Sequence, residues 1–375
     1  MSVVIVGGGL MGLSAAFHLC RADPSVPVTL IERDRVGAAA SGASAAGVRV
    51  MGRDPAERAL ALESLRRWPE LDRELEGDKC YRRDGGLRVA IDEAAWRAVP
   101  AWVAAQRADG VPLEIVDEPA LRRRAPGLAP ECLGGVYAPI DGQAEAMPTV
   151  LAFANAARRL GARVETGVVR RVLVERGRVV AVEQADGART ACDVAIVAAG
   201  AWSAALLAPH GVELPLHTRA LQMLLTTPAP KALAQVVGCF DRQLSLKQLG
   251  DGAYLIGGGW PALITDEAEN RYEILADSIR ASQEIAAAVY PAVGHAALAR
   301  SWAGLEAFTP DEIPLIGPVP GIEGLVVAAG FCGHGFALAP AVGDILARLA
   351  LGRDAHEPMW RGLRVDRVTK EAATT

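Results

Sequence analysis

The chain has 375 residues, of which 51% are hydrophobic and 22% charged, and its formal net charge is −5. That length suggests about two domains with ample material for a core, and the proportions are those of a globular enzyme. The mild acidic balance, without a long run of one sign, argues against nucleic acid or an anionic membrane surface as partner.

Val3-Val4-Ile5-Val6 predicts a short strand, and Leu13, Ala16, Phe17 and Cys20 follow at helical spacing. A second apolar run, Val28 to Ile31, ends on Glu32, 20 residues after Gly12. Between the first strand and the helix, Gly7, Gly9 and Gly12 stand as G-x-G-x-x-G. Strand, tight turn, helix, strand and acid in that register form a dinucleotide site. Gly7 turns the chain out of the strand. Gly9 lets a pyrophosphate approach the backbone, and Gly12 lets helix and strand pack closely. The free N–H groups at the helix start face the phosphates, and Glu32 can accept hydrogen bonds from ribose hydroxyls. Val3 to Cys20 carries no formal charge, yet glycines interrupt it and no basic segment precedes it. Neither a leader nor a membrane span is therefore expected there, and the expected location is cytoplasmic.

Residues 37–47 are almost all small, as a backbone lying against a flat ring system requires. A helix is expected from about Pro55 to Glu76, a strand over Tyr81 to Ala90, helices near 92–108 and 118–124, and a strand near 135–138. Asp141-Gly142 marks a turn, and Pro148 opens a helix to about Leu160. Short strands follow at 163–165, 168–174 and 178–183, and Asp193 to Gly200 has the apolar texture of a central parallel strand. Strands near 219–226, 243–249 and 252–258 and a helix over about 266–288 suggest an antiparallel sheet with one helix layer. The chain then returns through strands at 301–305 and 325–330 to a last helix starting at Gly333. The expected fold is α/β: a Rossmann-type nucleotide domain with a central parallel sheet (1–80, 141–214 and 301–375), plus an α+β substrate domain with a mostly antiparallel sheet (81–140 and 215–300). Cys20, Cys80, Cys132, Cys192, Cys239 and Cys332 form no C-x-x-C pair, so neither a metal nor a disulfide framework is expected.

Five segments together resemble one family: the glycine motif with Glu32-Arg33; Ser41 to Gly47; Val197 to Trp202; Trp302-Ala-Gly-Leu with Thr309 to Gly317; and Gly330 to Phe336 with Pro340 and Gly343. These are the marks of FAD-dependent amine and amino-acid oxidoreductases of the D-amino-acid oxidase type, which include glycine oxidase, sarcosine oxidase and the β-subunits of proline and opine dehydrogenases. The resemblance implies FAD, with Gly7, Gly9, Leu10, Met11 and Gly12 at the pyrophosphate, Glu32 at the adenosine ribose and Val169 pairing with adenine through its backbone. Ser41, Ser44, Ala45, Ala46, Gly47 and Val48 would line the flavin. Gly330, Gly333, His334, Gly335, Phe336 and Ala337 would close over its pyrimidine end, where a helix dipole can stabilise charge on reduction. Arg33, Ala199, Gly200, Trp202 and Gly304 complete the implied contacts. The implied chemistry is oxidation of a carbon–nitrogen bond to an imine by hydride transfer to flavin N5.

Departures from the family pattern bear on the substrate. Several relatives carry an arginine after the Gly-Leu of W-x-G-L to grip a carboxylate, and here that position is Glu306. Monomeric sarcosine oxidase has a lysine after G-H-G-F, here Ala337. A buried carboxylate needs a cation, so Arg49, Lys247 and Arg242 are candidate replacements; alternatively Glu306 attracts a cationic amine. Gly304 stands where that relative carries its flavin-linked cysteine, which implies non-covalent FAD, and Leu255 stands where it has the lysine that aids oxygen reaction. Gln222, Tyr254 and Trp260 are candidates to roof the pocket. The expected partner is a small amine or amino acid, with possible partner subunits in a hetero-oligomer. A FAD-carrying relay or non-catalytic subunit, and a pyridine-nucleotide dehydrogenase without flavin, are compatible with the same residues.

Overall fold

The computed structural model describes residues 1–77 and 81–369, so Cys80 lies outside the described residues. A six-stranded sheet runs in the order Leu315–Pro318, Leu325–Ala329, Val194–Val197, β1 (Val3–Val6), β2 (Val28–Glu32) and Arg163–Thr166. Its pairs are parallel except the outermost, Leu315–Pro318 with Leu325–Ala329. The expected central strand after Asp193 takes its place between β1 and Leu325–Ala329. All four of its residues are buried, because helices or a second layer cover both faces.

One such helix is α1 (Leu10–Ala22), whose buried face includes Leu13, Ala16, Phe17 and Cys20. It packs on the closing helix, Gly335–Ala350, where Gly343 permits the contact: a Cβ there would stand 2.1 Å from Ser14 Oγ. Ser14 Oγ donates to Ala339 O at 2.8 Å. On its other side the closing helix meets α3 (Pro55–Arg67). There Ser64 Oγ and Trp68 Nε1 both donate to Ala337 O, at 2.7 and 2.9 Å. Pro340 supplies no N–H to the preceding turn, and side chains of neighbouring elements hold the Ala337 and Ala339 carbonyls before it.

The second sheet has ten strands and is antiparallel apart from one parallel pair, Val236–Cys239 with β4 (Gly86–Ala90). The strand expected at 301–305 is longer, Leu298–Phe308, and pairs along its length with His217–Pro228 in this second sheet. Other boundaries moved for physical reasons. The helix expected over 266–288 is two strands, Pro261–Asp266 and Arg271–Glu273, then a helix, Ala276–Val289. The hairpin between the strands turns through Asn270 at φ 54°, a conformation that asparagine tolerates. The helix from Pro55 ends at Arg67, a single 3-10 turn carries Pro69, and a short helix Leu71–Leu75 follows. The small-residue run contains one helical turn, α2 (Ala40–Ala43), before β3 (Gly47–Val48) pairs with Gly142–Gln143. No helix of the described residues is long and apolar enough to cross a membrane.

Candidate active site

The glycine turn has the geometry its spacing requires. Gly7 sits at φ 110°, and a Cβ on it would stand 2.4 Å from Ala198 O. A Cβ on Gly12 would stand 2.1 Å from Gly7 O, so the helix can approach the strand only without a side chain there. No side chain of the N-cap residue Gly9 closes the start of α1; instead Leu10 N–H donates to Ser41 Oγ at 2.9 Å. Ser41 is thereby tied to the glycine turn. Glu32 is fixed at the end of β2 by accepting Gly8 N–H (2.6 Å) and Asp34 N–H (3.0 Å), one on each oxygen. Arg33 stacks over Trp202, with Cζ 4.6 Å from the ring centroid, and donates to Ala268 O. Ala199 and Gly200 lead into the 3-10 turn that carries Trp202, and Val169 begins the strand paired with Arg178–Gln184.

The 41–48 loop and the start of the closing helix face one region. Ser44 Oγ accepts Ala46 N–H at 2.9 Å, and Ala46 O accepts Ala144 N–H at 3.0 Å. Trp302 Nε1 donates to Ala43 O at 3.1 Å, and Gly304 lies so close that a Cβ would stand 2.6 Å from Ala43 Cβ. On the closing side, Gly330 (φ 70°) and Gly333 (φ 79°) shape the turn, and Phe336 stacks on Trp68 at 5.5 Å. No side chain caps the closing helix. A Cβ built on Gly47 or on Gly333 would meet no atom within 4 Å. Open space beside the loop and beside the turn, with two helix starts not capped by their own N-cap side chains, fits an extended dinucleotide cofactor. Cys332 is no part of this cradle's chemistry. It is buried, its Sγ donates to Gly330 O at 3.0 Å, and burial pushes its thiol pKa up.

A charge cluster borders the closing turn. Glu306 Oε1 accepts Gly333 N–H at 2.7 Å. Burial pushes its carboxyl up to about 7, against the pull of that N–H and of Arg53. His334 Nδ1 lies 3.1 Å from Oε1 of the wholly buried Glu57. Burial and then Arg53 lower the His334 pKa against Glu57, which favours the neutral imidazole; a neutral ring that donates to the Glu57 carboxylate carries its proton on Nδ1. Arg53 is 4% exposed and its pKa is pushed down to about 10, first by burial and next by Arg49. Asp141 is buried, accepts Val50 N–H at 2.8 Å, and is pushed up to about 6 by burial. Among the described residues no carboxylate lies within ion-pair distance of Arg49 or Arg53. Glu57, Asp141 and Glu306 act on Arg53 and Asp141 acts on Arg49 from beyond ion-pair distance, so the two guanidiniums share one locale with donors open to an external anion.

Of the candidate cations, Arg49 joins this cluster. Lys247 Nζ donates to Ala144 O at 2.6 Å, and Arg242 donates to Asp241 O at 2.9 Å from an exposed position. Gln222 is bound at both ends of its amide to the Leu275 backbone. Tyr254 packs on Tyr290 in a separate core, with centroids 5.9 Å apart. Trp260 accepts Gln222 N–H through its carbonyl, and its buried indole N–H has no protein acceptor. Leu255 is a buried residue of the strand Ala253–Gly257. Arg53, Glu57 and Asp141 escaped the sequence reading. Glu57 carried a usable signal, because it lies on the buried stripe with Leu60, Ala61, Ser64 and Leu65. A carboxylate in an apolar stripe points to a partner across the interface.

The family model described as FAD dependent oxidoreductase matches residues 2–349. The glycine oxidase of Pseudomonas putida is 31% identical over 94% of this chain and 95% of its own. The sarcosine oxidase subunit beta of Rhizobium meliloti is 26% identical over 97% of this chain and 88% of its own. The crystal structure of L-proline dehydrogenase from P. horikoshii matches with a TM-score of 0.86 at 25% identity, covering 94% of each chain. The cofactor is FAD rather than a pyridine nucleotide, and the donors are amines or amino acids. The chain belongs to the FAD-dependent oxidoreductases of the D-amino-acid oxidase family.

Proposed function

We propose that this enzyme oxidises the carbon–nitrogen bond of an amino acid or an N-substituted amino acid, of the opine, sarcosine or proline-like kind, to the imine. The observation that carries this reading is the pair Arg49 and Arg53, two guanidiniums that, among the described residues, have no carboxylate within ion-pair distance, beside the turn that ends at His334. They supply the cation that the family pattern loses at Glu306. The chemistry supplied by FAD, when bound, is acceptance of a hydride equivalent at N5. The chain's own residues orient and tune. Arg49 and Arg53 hold the substrate carboxylate, so that the carbon bearing nitrogen faces the space between the 41–48 loop and the closing turn. Glu57 holds the neutral His334 ring in one orientation. Glu306, protonated below about pH 7, leaves the guanidiniums to the substrate; ionised, it competes for Arg53. Gly304 offers no thiol and packs on Ala43, which supports non-covalent FAD.

The test is anaerobic mixing of the purified yellow protein with a panel of amines and amino acids. Bleaching of the flavin band by one or more amino acids is the expected result. No bleaching by the isolated chain, with bleaching only after a partner subunit is added, would replace this reading with that of a relay subunit. The relative named as a sarcosine oxidase subunit gives that second reading its support.

A further inference from the structure

His334 is held at one ring nitrogen and left open at the other. Its backbone N–H donates to Phe331 O at 2.7 Å, which fixes the residue at the start of the closing helix. Nδ1 stands 3.1 and 3.2 Å from the two carboxylate oxygens of Glu57, a side chain with no exposed surface. Nε2 has no hydrogen-bond partner among the described residues. The ring is 22% exposed and, with Arg53, lines a cleft of about 370 Å³, within the size range of small-molecule sites, about 300 to 1,000 Å³. With Nδ1 turned inward to Glu57, the edge of the ring that bears Nε2 is the one left for the cleft.

An amino acid arrives at neutral pH with its nitrogen as an ammonium. An ammonium has no lone pair from which to form the new C=N bond, so one N–H proton must leave before the α-carbon gives up its hydride. A buried carboxylate behind an imidazole keeps a proton on Nδ1, presents the bare Nε2 as acceptor and stabilises the imidazolium that forms. The charges around the ring favour this order of events. Glu57 on α3 supports the imidazolium, whereas Arg53, from the turn before α3, and Arg49 oppose it. A substrate carboxylate on Arg53 offsets that opposition, so filling the carboxylate site makes Nε2 a stronger base. Of the acids nearby, Glu306 on the strand Leu298–Phe308 accepts Gly333 N–H. Asp311 and Glu312, which line the same cleft, pair with Arg367 and Arg219. Asp54 caps α3 by accepting Ala56 N–H, and Arg58 pairs with Asp109.

We propose that His334 is a catalytic residue of the amine oxidation: its Nε2 takes one proton from the substrate ammonium, with Glu57 as the positioning residue behind it. The ammonium N–H bond breaks, its electron pair stays on nitrogen, and the proton forms the Nε2–H bond and later leaves through the cleft to solvent. The hydride of the oxidation goes to FAD, the oxidant that the family's activity already supplies. This rests on the reading of the cluster as the substrate site. One measurement is independent of turnover: nitrogen NMR of the FAD-loaded protein with labelled histidine, His334 being assigned by its loss in His334→Gln and its shift in Glu57→Gln. In mildly alkaline solution the expected signal is a protonated Nδ1 and a bare Nε2; a neutral ring with its proton on Nε2 would overturn the proposal. The second measurement is stopped-flow reduction of the flavin against pH, with the fastest-bleaching member of an amine and amino-acid panel that includes glycine, N-methylglycine and proline. The limiting rate should fall as pH drops through the histidine range. In His334→Gln that limb disappears, the rate at pH 7 falls roughly hundredfold, and it recovers in alkaline solution, where free amine forms unaided. Glu57→Gln should move the limb to lower pH, because the imidazolium loses its counter-charge. A loss in His334→Gln that is equal at every pH marks a structural role and overturns the proposal; the flavin content of each variant reads whether the cradle survives. If His334→Gln keeps the wild-type profile, or if Glu306→Gln abolishes the limb and His334→Gln does not, the assignment to His334 falls and the oxidation reading stands. If no member of the panel bleaches the flavin, the oxidation reading fails and takes this assignment with it.

Discussion

Replacing Arg53 by methionine is expected to raise the stability of the protein while weakening its hold on carboxylates. Arg53 is 4% exposed and its pKa is pushed down to about 10 by burial and by Arg49. A cation whose folded pKa is depressed is disfavoured by folding at every pH below the folded value. The cost is therefore fully present at pH 7 and fades only as pH rises through about 10. A tenfold change in a protonation equilibrium is worth about 1.4 kcal/mol, so the depression corresponds to about 3 kcal/mol. Unfolding entropy of about 2 cal/mol/K per residue, over 375 residues, converts that into a Tm rise of about 4 °C at most. Methionine fills a similar volume without the charge. Against this, a charge-assisted hydrogen bond to a carboxylate is worth about 1.5 to 3 kcal/mol, so the Kd for an inert carboxylate such as acetate should rise roughly tenfold to a hundredfold. Scanning calorimetry of the FAD-loaded variant and an acetate titration read the two effects separately. A lower Tm together with an unchanged acetate Kd would refute the reasoning, because it would make Arg53 a structural residue with its charge already compensated.

Other expectations follow from the same geometry. Gly12→Ala places a Cβ where 2.1 Å separates it from Gly7 O; α1 must shift, and the purified variant should carry far less flavin per chain, read from the absorbance ratio. In the wild type, acetate affinity should fall as pH rises from about 6 to 8, because Glu306 ionises near 7 and competes for Arg53. Glu306→Gln should flatten that limb. The stability effect has the same origin: a carboxyl whose folded pKa is raised favours folding in its protonated form, so stability declines as pH climbs from the ordinary carboxylate range to about 7, and the variant should lose that slope. Acid precipitation should leave the yellow colour in the supernatant, since Gly304 provides no attachment point; colour in the pellet would contradict non-covalent FAD.

The nucleotide end of the site was legible because it is local. One turn, one helix and one acid within Val3 to Glu32 carry its geometry, and Gly7 and Gly12 are required by contacts of 2.4 and 2.1 Å that any reader of the spacing can anticipate. The charge cluster was not legible because it is assembled by pairing between distant segments. Asp141 reads as a turn residue until β3 pairs with Gly142–Gln143 and brings it under Val50. Glu57 reads as a helix surface charge until the closing helix delivers His334 to it across 277 residues. Gln222 and Tyr254 looked like pocket residues because a strand's two faces are equivalent in sequence; pairing decides which face a core claims. The misjudged stretch at 266–288 fails for a related reason: a charged hairpin with exposed strands resembles the polar side of a helix until its turn residue is known to adopt a positive φ.

The central claim is that the substrate is recognised by its carboxylate, even though Glu306 stands where relatives place an arginine. The most direct measurement compares anaerobic flavin reduction by proline and by pyrrolidine, and by N-methylglycine and dimethylamine, each pair differing by one carboxylate. The expected result is that within at least one pair the acid reduces the flavin roughly a hundredfold more efficiently than the amine. Equal rates, or faster reduction by the simple amines, would contradict the account and assign recognition to Glu306 instead.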